Sequence, residues 1–357
     1  MKQRIQHIEI AKGIAIIAVV LGHSWITLHN KGELFNVLFS VHMPLFFLVS
    51  GVFLHNRGSF KAFFINKFDR IMKPYFITLC LVALYTWWFK GASLGNMLIG
   101  IFFASGDSIG ATGLWYWIAL WFLPALFIVS LLSFLINRYI KLEDSSALTK
   151  ITFLLLLGFF ASHDLNAFWN IKASLFSEPI IVYGRHFNMP GLPWCIDLAL
   201  ISSVFYLAGY WFRDLFLSRQ FKLIATMGAL AIFIAFHLLW NHTVDLNLRF
   251  YGSFLPTTIQ AFSGIYVVIQ LSLLIERITP LSKLLNIIGQ NSLYILLFHS
   301  VILNTLQNEL NWQPLVESIF AVIIAIIVPV IIAVAIKNTI YLKYCYLPFP
   351  KRNKPAI

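Results

Sequence analysis

Apolar stretches recur along the chain from end to end, each closed by a short polar or basic segment. About 20 mainly apolar residues cover a bilayer core of about 30 Å when helical. Read that way, the pattern places spans at roughly 10 to 28, 36 to 54, 74 to 90, 114 to 136, 151 to 163, 195 to 212, 222 to 240, 255 to 275, 286 to 305 and 316 to 337. The fifth is short. The segment SLGNMLIGIFFA, at 93 to 104, is shorter than a crossing needs and reads as a re-entrant or interfacial piece. The expected fold is all-α: a polytopic membrane protein with about ten transmembrane helices, one membrane domain over 1–345 and a short basic tail over 346–357.

Composition agrees, with 59% hydrophobic and 11% charged residues, against about 25% charged in soluble domains. No polar stretch is long enough for a separate domain. Of the 26 Lys and Arg, Lys12 lies in the first span and Lys31, Lys90, Lys172, Arg185 and Arg249 fall on one side of the membrane; all the others share the side of the N-terminus. Cytoplasmic loops collect Lys and Arg, so both termini are expected in the cytoplasm. Contacts of those loops with anionic membrane lipids account for the net charge of +12 without nucleic acid as a partner. Cys80, Cys195 and Cys345 fall in a span, near the outer face and in the inner tail, and define neither a disulfide framework nor a metal site. The N-terminus has the basic start and apolar run of a signal peptide. It lacks a small-residue cleavage site and carries Lys12 and His23, so it reads as a retained first span.

Ionisable groups at membrane depth cost on the order of 3 kcal/mol each, and those that persist usually serve a pathway or a site. Here they are Lys12 and His23 in the first span, His42 in the second, Asp197 in the sixth, His237 in the seventh and His299 in the ninth. In KGIAIIAVVLGH, Lys12 and His23 would share one helical face, roughly 16 Å apart along the axis. A neutral imidazole can take a proton from a hydroxyl at cellular pH, and the cation nearer the cytoplasm suits an anionic cofactor entering from inside. His237, in AIFIAFHLLWNH, has no obvious polar neighbour and reads as an interface or packing histidine. A second concentration of charge, KAFFINKFDRIMKPYF, carries Lys61, Lys67, Arg70 and Lys73 against Asp69. It could counter a multiply phosphorylated cofactor or simply be a basic inner loop. Aromatics crowd the outer side in GLWYWIALWFLPALF, where Trp115 could stack on a sugar ring, and in FWN at 168 to 170. An interfacial aromatic belt needs no ligand. The sequence has no phosphate-cradling glycine loop, serine nucleophile elbow or zinc spacing.

Four stretches together, IEIAKGIAIIAVVLGHSW, FSVHMPLFFLVSGVFL, FDRIMKPYF and IGQNSLYILLFHSVI, resemble the acyltransferase family 3 membrane proteins, and within them the branch of fucose O-acetylase-like enzymes. LWFLPALF and PWCIDLALISSVFYLAGYWF support the likeness, which runs from about residue 5 to 340. The basic residue, ten intervening residues and histidine of the family are met by Lys12 and His23, with Lys where many members have Arg, and Glu9 where many have Asp. Lys67 and Arg70 stand where paired arginines are usual. The resemblance implies transfer of an acyl group, most often acetyl, from cytoplasmic acetyl-CoA to a hydroxyl of a cell-surface glycan or lipid-linked sugar, in a bacterial inner membrane. It implies His23 as general base, Lys12 helping to hold the donor, and Lys67, Arg70 and Lys73 at the coenzyme A phosphates. His42, Trp115, Asp197 and His299 are expected to contact the acceptor or orient His23. No bound cofactor is expected. Succinyl transfer, or transport of a lipid-linked sugar, would leave a similar pattern.

Overall fold

The structure is a computed structural model describing residues 5–30, 32–56, 58–168, 180–182, 185–187, 191–240, 244–309 and 314–349. The chain begins with α1 (Gln6–Gly22), the short α2 (Trp25–Asn30), α3 (Glu33–Val52), α4 (Phe60–Lys67) and α5 (Lys73–Lys90). Then come α6 (Leu94–Phe103), α7 (Gly106–Ile109), α8 (Phe122–Ile140), α9 (Ala147–Phe168), α10 (Ala199–Trp211) and α11 (Arg213–Leu217). The last third holds α12 (Leu223–Trp240), α13 (Phe254–Ile275), α14 (Thr279–Gln290), α15 (Ser292–Glu309), α16 (Pro314–Asn338) and α17 (Ile340–Tyr346). Two small antiparallel ribbons interrupt the helices: β1 (Ile180–Val182) with β2 (Arg185–Phe187), and β3 (Val244–Asp245) with β4 (Phe250–Tyr251).

Among the described residues, eight helical runs are long and apolar enough to cross a membrane, and a ninth results if α14 and α15, which meet at 80°, form one broken span. α1 has 17 residues, the lower limit of the usual range of about 17 to 25. Every expected span overlaps one of these elements, so the all-α polytopic reading holds. Three local expectations change. The fifth span is the 22-residue α9 and not a short one. The basic stretch before the third span is not a loop: α4, a π-helical turn at Phe68–Met72 and α5 make one helical run from Phe60 to Lys90. The first span stops at His23, where the Ser24 hydroxyl donates to the Leu21 carbonyl at 2.7 Å and satisfies a helix-end acceptor. SLGNMLIGIFFA forms α6, a ten-residue helix capped by Ser93 and ended by left-handed Ala104; it is too short to cross.

α1 lies at the centre, packed against α3, α13, α14 and α15. α3 also packs closely on α10. Their backbones nearly touch because Gly51 faces the Tyr206 carbonyl and Gly209 faces Leu48 and Val52; a Cβ at either glycine would overlap backbone atoms. Small residues permit such approach where lipid offers no hydrophobic drive for helix association. Gly209→Ala is therefore expected to destabilise the fold by about 1 to 3 kcal/mol, read as a lowered thermal midpoint in detergent. An unchanged midpoint would mean that the two helices can part without loss.

Two segments outside the long helices, at 192–197 and 247–249, are tied to one side chain. Arg249 is fully buried. Its Nε donates to Asp197 at 2.7 Å, its Nη1 to the Asn247 carbonyl at 2.6 Å, and its Nη2 lies 3.6 Å from Cys195 Sγ. The other Asp197 oxygen accepts from the Leu192 amide at 3.0 Å. Burial alone disfavours the guanidinium charge, but Asp197, Cys195 and Asp107 more than offset it, so the group is held more firmly protonated than a free arginine. Trp194 and Cys195 are both left-handed, with φ of 60° and 54°, a costly backbone for such side chains.

Candidate active site

Three helices bring three histidines together. His23 caps the C-terminal end of α1, His42 lies in α3, and His299 lies in α15. His23 Nδ1 and His299 Nε2 are 3.1 Å apart, with ring centroids at 5.2 Å. His42 is close enough to His23 for the two imidazoles to interact electrostatically. His42 and His299 are buried, whereas His23 is only partly so.

The proton positions follow by elimination. His299 Nδ1 faces the Ile295 and Leu296 carbonyls at 2.9 and 3.0 Å. A carbonyl can only accept, so this nitrogen carries the hydrogen and Nε2 of the neutral ring is an acceptor. His23 Nδ1 must then donate to His299, which leaves His23 Nε2 with its lone pair free. His42 donates from Nδ1 to the Leu38 carbonyl at 2.6 Å, so its Nε2 is also an acceptor. The site thus presents neutral imidazoles with basic nitrogens, at the negative end of the α1 dipole where an imidazolium formed in passing is stabilised. Among the described residues, no cluster of three or more His, Cys, Asp or Glu side chains could hold a metal ion.

Lys12 lies three turns before His23 on α1, where it donates to Glu9 at 2.9 Å. The basic residues of the α4–α5 run do not act as one cluster. Lys67 reaches Tyr206 of α10, donating to the hydroxyl at 3.2 Å, and Arg70 in the π turn is exposed. Lys73 turns elsewhere: it pairs with Asp69, donates to the Leu347 carbonyl at 2.6 Å and lies 3.8 Å from the Phe349 ring centroid. The Phe349 amide in turn donates to Asp69 at 2.8 Å. The expected boundary between 345 and 346 falls inside α17, and Leu347 to Phe349 form a strap against the basic run.

Asp197 is engaged by Arg249 and not by any of the three histidines. Trp115 is 65% exposed; it starts the 3₁₀ helix Trp115–Trp121, which packs on α15, where Trp117 meets Phe298 beside His299. His237 does have polar neighbours: Glu33 at 2.6 Å and Gln260 at 3.3 Å. That corrects the expectation of no polar neighbour, because Glu33 starts α3 beside a helix far away in sequence. Residues 169 and 170 of the FWN stretch lie outside the described residues. Sequence reasoning missed Arg249 and Tyr206. Arg249 is the one cation of VDLNLRFYG, four residues after Asp245, and a single arginine on the same side of the membrane as Asp197 is the one signal that could have suggested the pair.

Among curated proteins and among solved structures, none matches the chain significantly. The sequence profile of an acyltransferase domain matches residues 5–335, a range that takes in α1, the α4–α5 run and all three histidines. The chain is therefore a multi-pass membrane acyltransferase and belongs to acyltransferase family 3.

Proposed function

We propose that the protein transfers an acetyl group from acetyl-CoA at the cytoplasmic face to a hydroxyl of a surface polysaccharide or lipid-linked sugar, in a bacterial inner membrane. The observation that carries this reading is the His23–His299 pair. It leaves a free basic nitrogen on a partly exposed ring, at the opposite end of α1 from Glu9 and Lys12. In the reaction, His23 Nε2 takes the proton of the acceptor hydroxyl as its oxygen bonds to the thioester carbon. The C–S bond then breaks, and the proton passes from His23 to the departing coenzyme A thiolate. His299 holds the His23 ring in the productive tautomer, as an orienting partner does for any histidine base. Lys67 and Arg70 supply positive charge for the donor's phosphates, with Lys12 further along the path.

Mass spectrometry of surface glycans from cells with and without the gene, complemented by wild type or by His23→Ala, tests the proposal. A gain of one acetyl mass with wild type alone supports it. A gain of a succinyl mass replaces the donor, and unchanged glycan masses with reduced export overturn acyl transfer to these acceptors. On the same reading, Lys67→Met is expected to raise the KM for acetyl-CoA about tenfold, the loss of one charge-assisted contact of about 1.5 kcal/mol, with little change in kcat. A change confined to the acceptor KM would move Lys67 out of the donor site.

A further inference from the structure

The three-histidine site holds a second lone pair that the acyl transfer described above does not use. His42 gives the one ring hydrogen of its neutral form to the Leu38 carbonyl, 2.6 Å from Nδ1, so its Nε2 can only accept. No described residue donates to that nitrogen. It is nevertheless open to a ligand: the residue is 3% exposed, and Nε2 is not among the core polar atoms sealed without a partner.

A wedge of aromatic rings places this nitrogen beside the base. The Phe39 ring lies against Gly22, the chain neighbour of His23, so closely that a Cβ there would sit 3.0 Å from Cε2. The same ring meets the His42 imidazole at 81° with centroids 4.8 Å apart, and Phe35 stacks on it at 3.9 Å. His42 stays within electrostatic reach of His23, and the site thus contains two accepting nitrogens. They cannot satisfy each other, since neither has a hydrogen to give. One hydroxyl cannot serve both: it has a single hydrogen, and His23 takes it in the reaction. The second nitrogen therefore favours an acceptor that brings another donor next to the reacting hydroxyl.

A sugar ring brings one on the adjacent carbon. We infer that the acceptor is a sugar with two neighbouring free hydroxyls, one receiving the acetyl group at His23 and the other donating to His42 Nε2. This rests on the proposed transfer to a glycan hydroxyl. His42 recognises the acceptor and takes no proton, so its loss weakens acceptor binding and spares the chemistry.

Two measurements test it. NMR of the surface glycan from wild-type cells is expected to place the acetyl group on a carbon whose neighbour keeps a free hydroxyl. The unacetylated glycan from a deletion strain then serves as acceptor for the purified full chain. His42→Leu is expected to raise the KM for that glycan about tenfold, with kcat and the KM for acetyl-CoA unchanged within about twofold. His42→Gln, whose side-chain carbonyl can accept in place of Nε2, should recover most of the loss. An acetyl group flanked only by substituted carbons, acetamido groups included, would overturn the assignment, as would an unchanged glycan KM in His42→Leu. A rise confined to the KM for acetyl-CoA would give the nitrogen to an amide of the donor's pantetheine arm and overturn it too. Both KM values rising together, without recovery in His42→Gln, would reduce His42 to packing. The acetyl position needs no variant, so it decides even if neither variant folds. A wild-type glycan with no acetyl group at all would remove the acceptor reading itself.

Discussion

Replacing His23 by alanine is expected to lower kcat for acyl transfer by about 10²- to 10⁴-fold, the usual contribution of a general base, while the protein still accumulates in the membrane. The ring is partly exposed at the end of α1, and its hydrogen bond to His299 joins two side chains that each have backbone support of their own. Its removal should therefore cost chemistry far more than structure. His299→Leu makes the sharper test. Without the His299 acceptor, the His23 ring keeps only its hydrogen bond to the Val19 carbonyl, and the nitrogen facing the acceptor hydroxyl is less firmly fixed as the base. Activity that depends on neutral His23 falls on the acidic side of the pH–rate profile, and a change of partner must move that limb. A packing defect would lower the plateau and leave the limb in place. Full activity of His23→Ala would take the residue out of the reaction; a His299→Leu profile of unchanged shape would reduce His299 to packing.

Arg249→Ala is expected to destabilise the fold by about 3 to 5 kcal/mol, as removal of one partner from a buried ion pair does. Asp197 would keep its bond to the Leu192 amide but lose its charge partner, with Asp107 and Cys195 nearby. The two left-handed residues Trp194 and Cys195 would also lose a tie that holds them. Gly191 closes against the guanidinium so tightly that a Cβ there would overlap it; the segment is built around this one side chain. The paired change Arg249→Met with Asp197→Leu should recover part of the loss, because no uncompensated charge remains. Thermal unfolding in detergent reads both. A double variant no more stable than either single one would show that the charges matter less than the hydrogen bonds to the Asn247 carbonyl and the Leu192 amide.

The spans were legible because apolar runs of crossing length are a local property, and the basic bias of the loops is local too. Lys12 and His23 were legible for a similar reason: a helical face can be counted off eleven positions. What stayed hidden depends on distant residues meeting. The residues around His299 do not say that its Nε2 will face His23, an expectation that came from the family resemblance alone, and nothing near Lys67 points to Tyr206. The π turn at Phe68–Met72 was hidden by Pro74, which reads as a helix start after a loop, although proline is also accepted within the first turn of a helix that continues a preceding one. Asp197 reads as an acceptor contact only while Arg249 is taken for one more loop cation. Once that arginine is buried, the carboxylate is committed.

The bond between His23 and His299 joins positions 276 apart in the chain, and the one between Asp69 and Phe349 joins positions 280 apart. Contacts this distant in sequence form late, since a long loop must close before they are rewarded. As the chain leaves the ribosome from its N-terminus, His23 is made among the first residues, but its partner arrives with α15 and the strap only after α17. The growing chain is thus without its oriented base through most of its synthesis, and a ribosome stalled before α15 leaves a fragment unable to complete the pair.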